Sequence, residues 1–109
     1  MNRPVAGLSL IAVLIAAGTA SAADPAAGKK LAQGTCAVCH GLDGIAKNPD
    51  APHLAGENVE YLMRQLKAFK SGERKHEQMS IIAQGLSDDD AANASAWYSS
   101  IKIKAEMPQ

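Results

Sequence analysis

The sequence predicts an all-α chain. Three observations carry that expectation. Apolar residues recur at helical spacing over residues 59–69 and again over 91–101. Two strong helix-start signals, Asp24-Pro25 and Ser87 with Asp90 three residues on, open predicted helices. No stretch of any length alternates apolar and polar residues as a half-buried strand would, and no internal repeat is present.

Residues 1–22 read as a secretory leader. Met1 and Arg3 supply positive charge, Leu8 to Ala17 form an apolar run, and Ala20-Ser21-Ala22 gives a small-x-small cleavage pattern. Cleavage after Ala22 leaves residues 23–109 as one domain. The apolar run falls well below the roughly 20 residues needed to span a bilayer, so no stable membrane span is expected after cleavage.

Asp24 caps the first predicted helix, which runs to about Thr35. Pro25 takes the first helical position, where its missing N–H is harmless. Gly28 interrupts this helix and marks a close crossing with another. From Gly41 to Gly56 the helical pattern is lost among Gly41, Gly44, Asn48, Pro49, Pro52 and Gly56, a loop long enough to wrap something. Val59, Leu62, Met63, Leu66 and Phe69 share one face of the next helix, which Ser71-Gly72 ends. Residues 73–84 begin polar and then carry Met79, Ile81 and Ile82. The last helix starts at Ser87, with Asp88, Asp89 and Asp90 at the positive end of its dipole. Ala91, Ala94, Trp97, Tyr98 and Ile101 form its buried stripe, and the tail after Lys104 is expected to fray.

Residues 23–109 carry one Trp, two Tyr and one Phe. That is a thin core, and such small domains usually need a staple. Ten Lys and Arg face eleven Asp and Glu in this part, with no basic block, no aromatic stacking array and no phosphate-cradling glycine loop. Nucleic-acid and nucleotide binding are therefore poor readings.

Cys36-Ala37-Val38-Cys39-His40 is the chemical signature of the chain. Two cysteines three apart, with a histidine directly after, read as a covalent c-type haem attachment site. On one helical turn both sulfurs face the same way, so each can add across a haem vinyl group to form a thioether. His40 is then placed to bind iron as the proximal ligand. The rivals are a thioredoxin-like dithiol, half a zinc site and a short disulfide. The first lacks a preceding strand, the second lacks further cysteines, and the third closes a strained loop with little stabilisation. A distal ligand must come from Met63, Met79, Met107, His53 or His76. Met79, in a stretch read as irregular between helices, is the expected one, with His76 the runner-up. Met63 lies on an apolar helix face where methionine packs, Met107 lies in the tail, and His53 follows too soon after His40 to reach the far side.

Beyond the motif, Pro52-His53-Leu54-Ala55-Gly56, Tyr61-Leu62-x-x-Gln65-Leu66-x-x-Phe69, Gly72-x-Arg74, Met79 and Gly85-Leu86-Ser87-Asp88 leading to Trp97-Tyr98 occur in order. With these elements the chain resembles the class I c-type cytochromes, in particular the small periplasmic bacterial ones that occur as single or tandem domains. The resemblance covers essentially the whole of residues 23–109. It implies the cytochrome c fold, three main helices and loops wrapped around one covalently bound haem c. It assigns Cys36 and Cys39 to the thioethers, His40 and Met79 to the iron, and the Pro52 carbonyl to the second imidazole nitrogen of His40. It sets Gly28 and Trp97 where the first and last helices cross, with the glycine letting the indole approach. Arg64, Arg74 and Tyr61 are candidates for the propionates. The implied function is a periplasmic monohaem electron carrier, monomeric and not itself an enzyme, docking redox proteins briefly at its haem edge. A cytochrome subunit of a dehydrogenase or oxidase complex is the alternative, and a haem enzyme or gas sensor a more distant one.

Overall fold

The computed structural model describes residues 1–2, 4, 11–18 and 22–109. Arg3, the first part of the leader's apolar run and Ala20-Ser21 lie outside them. Residues 11–18 are exposed and carry no helix. No helix is long and apolar enough to cross a membrane among the described residues.

Five helices follow: α1 Pro25–Thr35, α2 Ala37–His40, α3 Val59–Ser71, α4 Met79–Gln84 and α5 Asp88–Ser100. No strand occurs among the described residues. Three are long and two are short pieces of four and six residues, so the all-α expectation holds. Asp24 and Ser87 cap α1 and α5 as the sequence announces, and Asn58 caps α3 without such a signal. The Asp24 carboxylate accepts from the Ala26 N–H, and the Asn58 side chain accepts from Tyr61. Ser87 and Asp90 form a reciprocal capping box at the start of α5.

The long helices pack around a crossing of α1 and α5, and α3 leans against both α4 and α5. The crossing is tight because Gly28 has no side chain. A Cβ there would lie 1.9 Å from the Asn93 carbonyl oxygen and 3.0 Å from the Trp97 Cβ. The neighbour that the glycine admits is thus the Asn93 backbone, not the Trp97 indole that the sequence points to. The indole instead reaches past the crossing to the loop after α2, where its Nε1–H donates to the Leu42 carbonyl at 2.9 Å. The Asp24 N–H donates to the Asn93 side chain at 2.7 Å, which ties the start of α1 to the same turn of α5.

The core is small. Ala32, Leu62 and Tyr98 form its centre, with Cys36, Leu42, Leu54, Trp97 and Ile101 packed around them. Leu62 and Phe69 of α3 face inward as expected, but Val59 is exposed because it lies at the helix entry beyond the packed face. Only a few large side chains meet here, and a cavity rather than further packing fills the space between α3, α4 and α5.

A Gly28→Ala substitution should push α1 and α5 apart and destabilise the protein by about 1–3 kcal/mol. Gly34, also in α1, has open space around it, so Gly34→Ala should stabilise by about 0.5–1 kcal/mol through helix propensity. Urea unfolding of the two variants checks both signs.

Candidate functional site

The site begins where α1 runs into α2. Cys36 ends the first helix by donating its N–H to Ala32 at 3.0 Å, and it opens the second, whose His40 N–H bonds the Cys36 carbonyl at 3.0 Å. The single turn sets both cysteines on one side and leaves Val38 between them exposed. The two thiols are free and half-buried. Burial pushes the Cys36 thiol above its ordinary range, so the unreacted group stays neutral.

After His40 the chain turns sharply at Gly41, whose φ of 75° lies in the left-handed region. The loop then folds back on the motif. The Lys47 and Asn48 amides both donate to the Cys39 carbonyl, at 2.8 and 3.2 Å. Leu54 donates to the Gly44 carbonyl at 2.8 Å. These bonds carry Pro52 over the imidazole, and its carbonyl lies 2.9 Å from His40 Nδ1. From the other side, the Tyr98 hydroxyl donates to the Gly41 carbonyl at 2.9 Å, beside the Trp97 bond to Leu42. Burial, and then the nearby Cys36 and Asp43, push the Tyr98 phenol well above its usual range, so it remains a donor.

The hydrogen bonds sort the three histidines. A carbonyl can only accept, so His40 Nδ1 must carry the proton, and its Nε2 keeps a free lone pair. His53 Nδ1 accepts from the Ala46 N–H at 2.8 Å, and His76 Nδ1 accepts from the Gln78 and Met79 N–H groups at 3.2 Å each. A neutral imidazole that accepts at Nδ1 carries its proton on Nε2. In this arrangement only His40 presents a nitrogen lone pair ready for a metal. The distal histidine alternative, His76, is occupied in holding the backbone ahead of Met79.

A cavity of about 280 Å³ opens against this side of the motif. Cys36, Cys39 and His40 line one part of it and Met79 another. His53, His76, Tyr61 and Arg74 also border it, whereas Met63, Met107 and Arg64 do not. Met79 is the first residue of α4 rather than part of an irregular stretch, because His76 supplies an unexpected cap. Arg74 lies over the Phe69 ring at 4.6 Å and donates to the Gln65 side chain at 2.6 Å. Ser95, only 1% exposed, also borders the cavity, and its hydroxyl is the single buried side-chain polar atom without a partner among the described residues. No cluster of three or more His, Cys, Asp or Glu residues suited to a bare metal ion occurs among them.

These features fit a haem. The lining is mostly apolar, two thiols stand three residues apart, and one imidazole nitrogen and one thioether sulfur supply the donor types of a His/Met-ligated iron. The four residues that the sequence singles out line this one cavity, while Ser95, the Tyr98 hydroxyl bond and the cap made by His76 have no counterpart in the sequence reading. No local signal marks Tyr98, whose partner is 57 positions away.

Comparison with known proteins agrees. The cytochrome c family model matches residues 25–102. The cytochrome c-554(548) of Halomonas halodenitrificans is 45% identical over 82 residues, which cover 72% of this chain and 98% of that one. The solved cytochrome c4 of Acidithiobacillus ferrooxidans superposes with a TM-score of 0.68 at 31% identity, covering 76% of this chain and 52% of its own. A thiosulfate dehydrogenase from Marichromatium purpuratum gives a TM-score of 0.66 at 32% identity, covering 81% of this chain and 22% of that one. The chain thus spans nearly all of the first relative and about half of the cytochrome c4.

Tyr98→Phe keeps the ring and removes the donor to the Gly41 carbonyl. It should lower stability by about 1–3 kcal/mol, measured by denaturant unfolding.

Proposed function

Since the chain belongs to the cytochrome c family, we propose that it is a periplasmic, monomeric, monohaem electron carrier whose iron His40 and Met79 would hold. The observation that carries this reading is the meeting of Cys36, Cys39, His40 and Met79 around one apolar cavity. When bound, haem c supplies a reversible one-electron couple.

The protein's own groups set the conditions for that couple. Cys36 and Cys39, both free thiols, would hold the haem covalently as thioethers. The Pro52 carbonyl holds the His40 ring and its tautomer, and so raises the donor strength of Nε2. The Met79 thioether is soft and neutral, which favours the reduced metal and raises the potential relative to two histidines. Two protein ligands leave no open position for a substrate, so no catalytic residue is proposed. Electrons would leave at the edge near Cys36 and Cys39, with redox proteins docking weakly and briefly as such partners usually do. Leader removal after Ala22 would deliver residues 23–109 to the compartment where such attachment occurs.

A second reading is favoured by the likeness to part of a thiosulfate dehydrogenase. The chain would then serve as a fixed electron-accepting subunit of an oxidoreductase. Isolation from native periplasm distinguishes the two, as a stable complex supports the subunit and a free monomer the carrier.

Denatured periplasmic protein should keep a haem stain, and Cys36→Ser with Cys39→Ser should abolish it. Met79→Ala should erase the red-region sulfur-to-iron charge-transfer band of the oxidised protein while keeping the stain. Retention of the band would remove Met79 from the proposed ligand pair.

A further inference from the structure

The start of α4 is held in an unusual way. This helix has six residues, far below the ~12–15 at which an isolated helix becomes even marginal, and Gln78 at its cap position makes no side-chain cap bond. Its first N–H groups still need partners. Met79 donates to His76 Nδ1 at 3.2 Å, and Ser80 donates to the His76 carbonyl at 3.0 Å. Ile81 and Ile82 both donate to the Gln78 carbonyl, at 3.1 and 3.0 Å. The Gln78 N–H also donates to His76 Nδ1, and the His76 N–H in return donates to the Ser80 hydroxyl at 3.0 Å. His76 and Ser80 therefore close a reciprocal clasp with Met79 between them. Residues 71–78 are exposed; Arg74 ties the segment back to α3 through Phe69 and Gln65, and the clasp holds the turn that enters α4.

From this geometry we infer that His76 is a positioning residue for Met79. The imidazole acts as the helix cap that serine or asparagine usually supplies, and Ser80 locks it from the following turn. It holds the backbone of Met79 at the cavity wall, so that the thioether is presented without an ordering cost at the moment of binding. The inference rests on Met79 being the distal ligand. It adds that the strength of that ligation is set by a side chain which does not touch the metal.

The test uses the holoprotein as purified from periplasm, in wild-type, His76→Ala, His76→Asn and Ser80→Ala forms. Added imidazole is titrated against the oxidised protein while the sulfur-to-iron band is followed. Loss of the cap should raise the apparent affinity for imidazole about tenfold in His76→Ala, since a cap bond is worth on the order of one factor of ten. Asparagine retains a cap acceptor and should bring the affinity back to within about twofold of wild type. Ser80→Ala should fall between them. If wild type shows the band and His76→Ala takes up imidazole no more tightly, the clasp does not position Met79, although ligation by Met79 stands. If wild type lacks the band, both ideas fail. Amide exchange in the wild-type holoprotein serves even if His76→Ala does not mature. The Gln78 and Met79 amides should exchange markedly more slowly than the unbonded Glu77 amide, and equal rates would overturn the clasp.

Discussion

The bond between His40 Nδ1 and the Pro52 carbonyl is the constraint on which the rest of the site depends. It decides which imidazole nitrogen is protonated, fixes the ring plane and leaves Nε2 facing chemistry rather than protein. Much of the loop exists to place that one carbonyl. The amides of Lys47 and Asn48 close on Cys39, Leu54 closes on Gly44, and the chain between them has little freedom to carry Pro52 elsewhere. The same rule, applied in reverse, engages His53 and His76 through Nδ1 in holding backbone. A chain with three histidines thereby offers one.

The long helices serve this arrangement more than they serve a conventional core. Gly28 lets α1 and α5 meet backbone to backbone, which brings Trp97 and Tyr98 close enough to grip the two residues after the motif. Few large side chains are buried, and the volume they would have filled is a cavity edged by α3, α4 and α5. A domain this small stabilises itself with difficulty through its own apolar area. Covalent attachment at two sulfurs and two axial bonds would supply what the side chains do not. The orphan hydroxyl of Ser95 fits the same picture, because a buried polar atom with no protein partner is costly unless an occupant or water satisfies it.

What could be read from the sequence was local. Asp24-Pro25, Ser87 with Asp90, and Gly72 are signals that act within one turn, and the helices begin and end where they stand. The Cys36 to His40 motif is equally local, since its meaning lies in spacing along one turn. Met79 can be chosen among the methionines by where the helix faces leave it, but its place at the start of α4 cannot. The polar run before it gives no sign of a helix start, because histidine is a rare cap and the clasp with Ser80 depends on side-chain orientation. The Gly28 crossing shows the same limit. A glycine announces a close approach but not which atom approaches, and the Asn93 carbonyl lies 65 positions away in sequence. The Tyr98 and Trp97 bonds to the loop are likewise fixed by tertiary structure and leave no trace in periodicity.

With His40 and Met79 as the proposed ligands, protein groups would close both sides of the iron and make the chain a carrier rather than a site for small molecules. The most direct test of this closure is exposure of the reduced holoprotein to carbon monoxide at neutral pH. With His40 and Met79 both in place, the visible spectrum should stay unchanged over minutes. Rapid conversion to a carbon monoxide-bound spectrum would mean an open or readily opened iron and would rule out a carrier closed by two protein ligands.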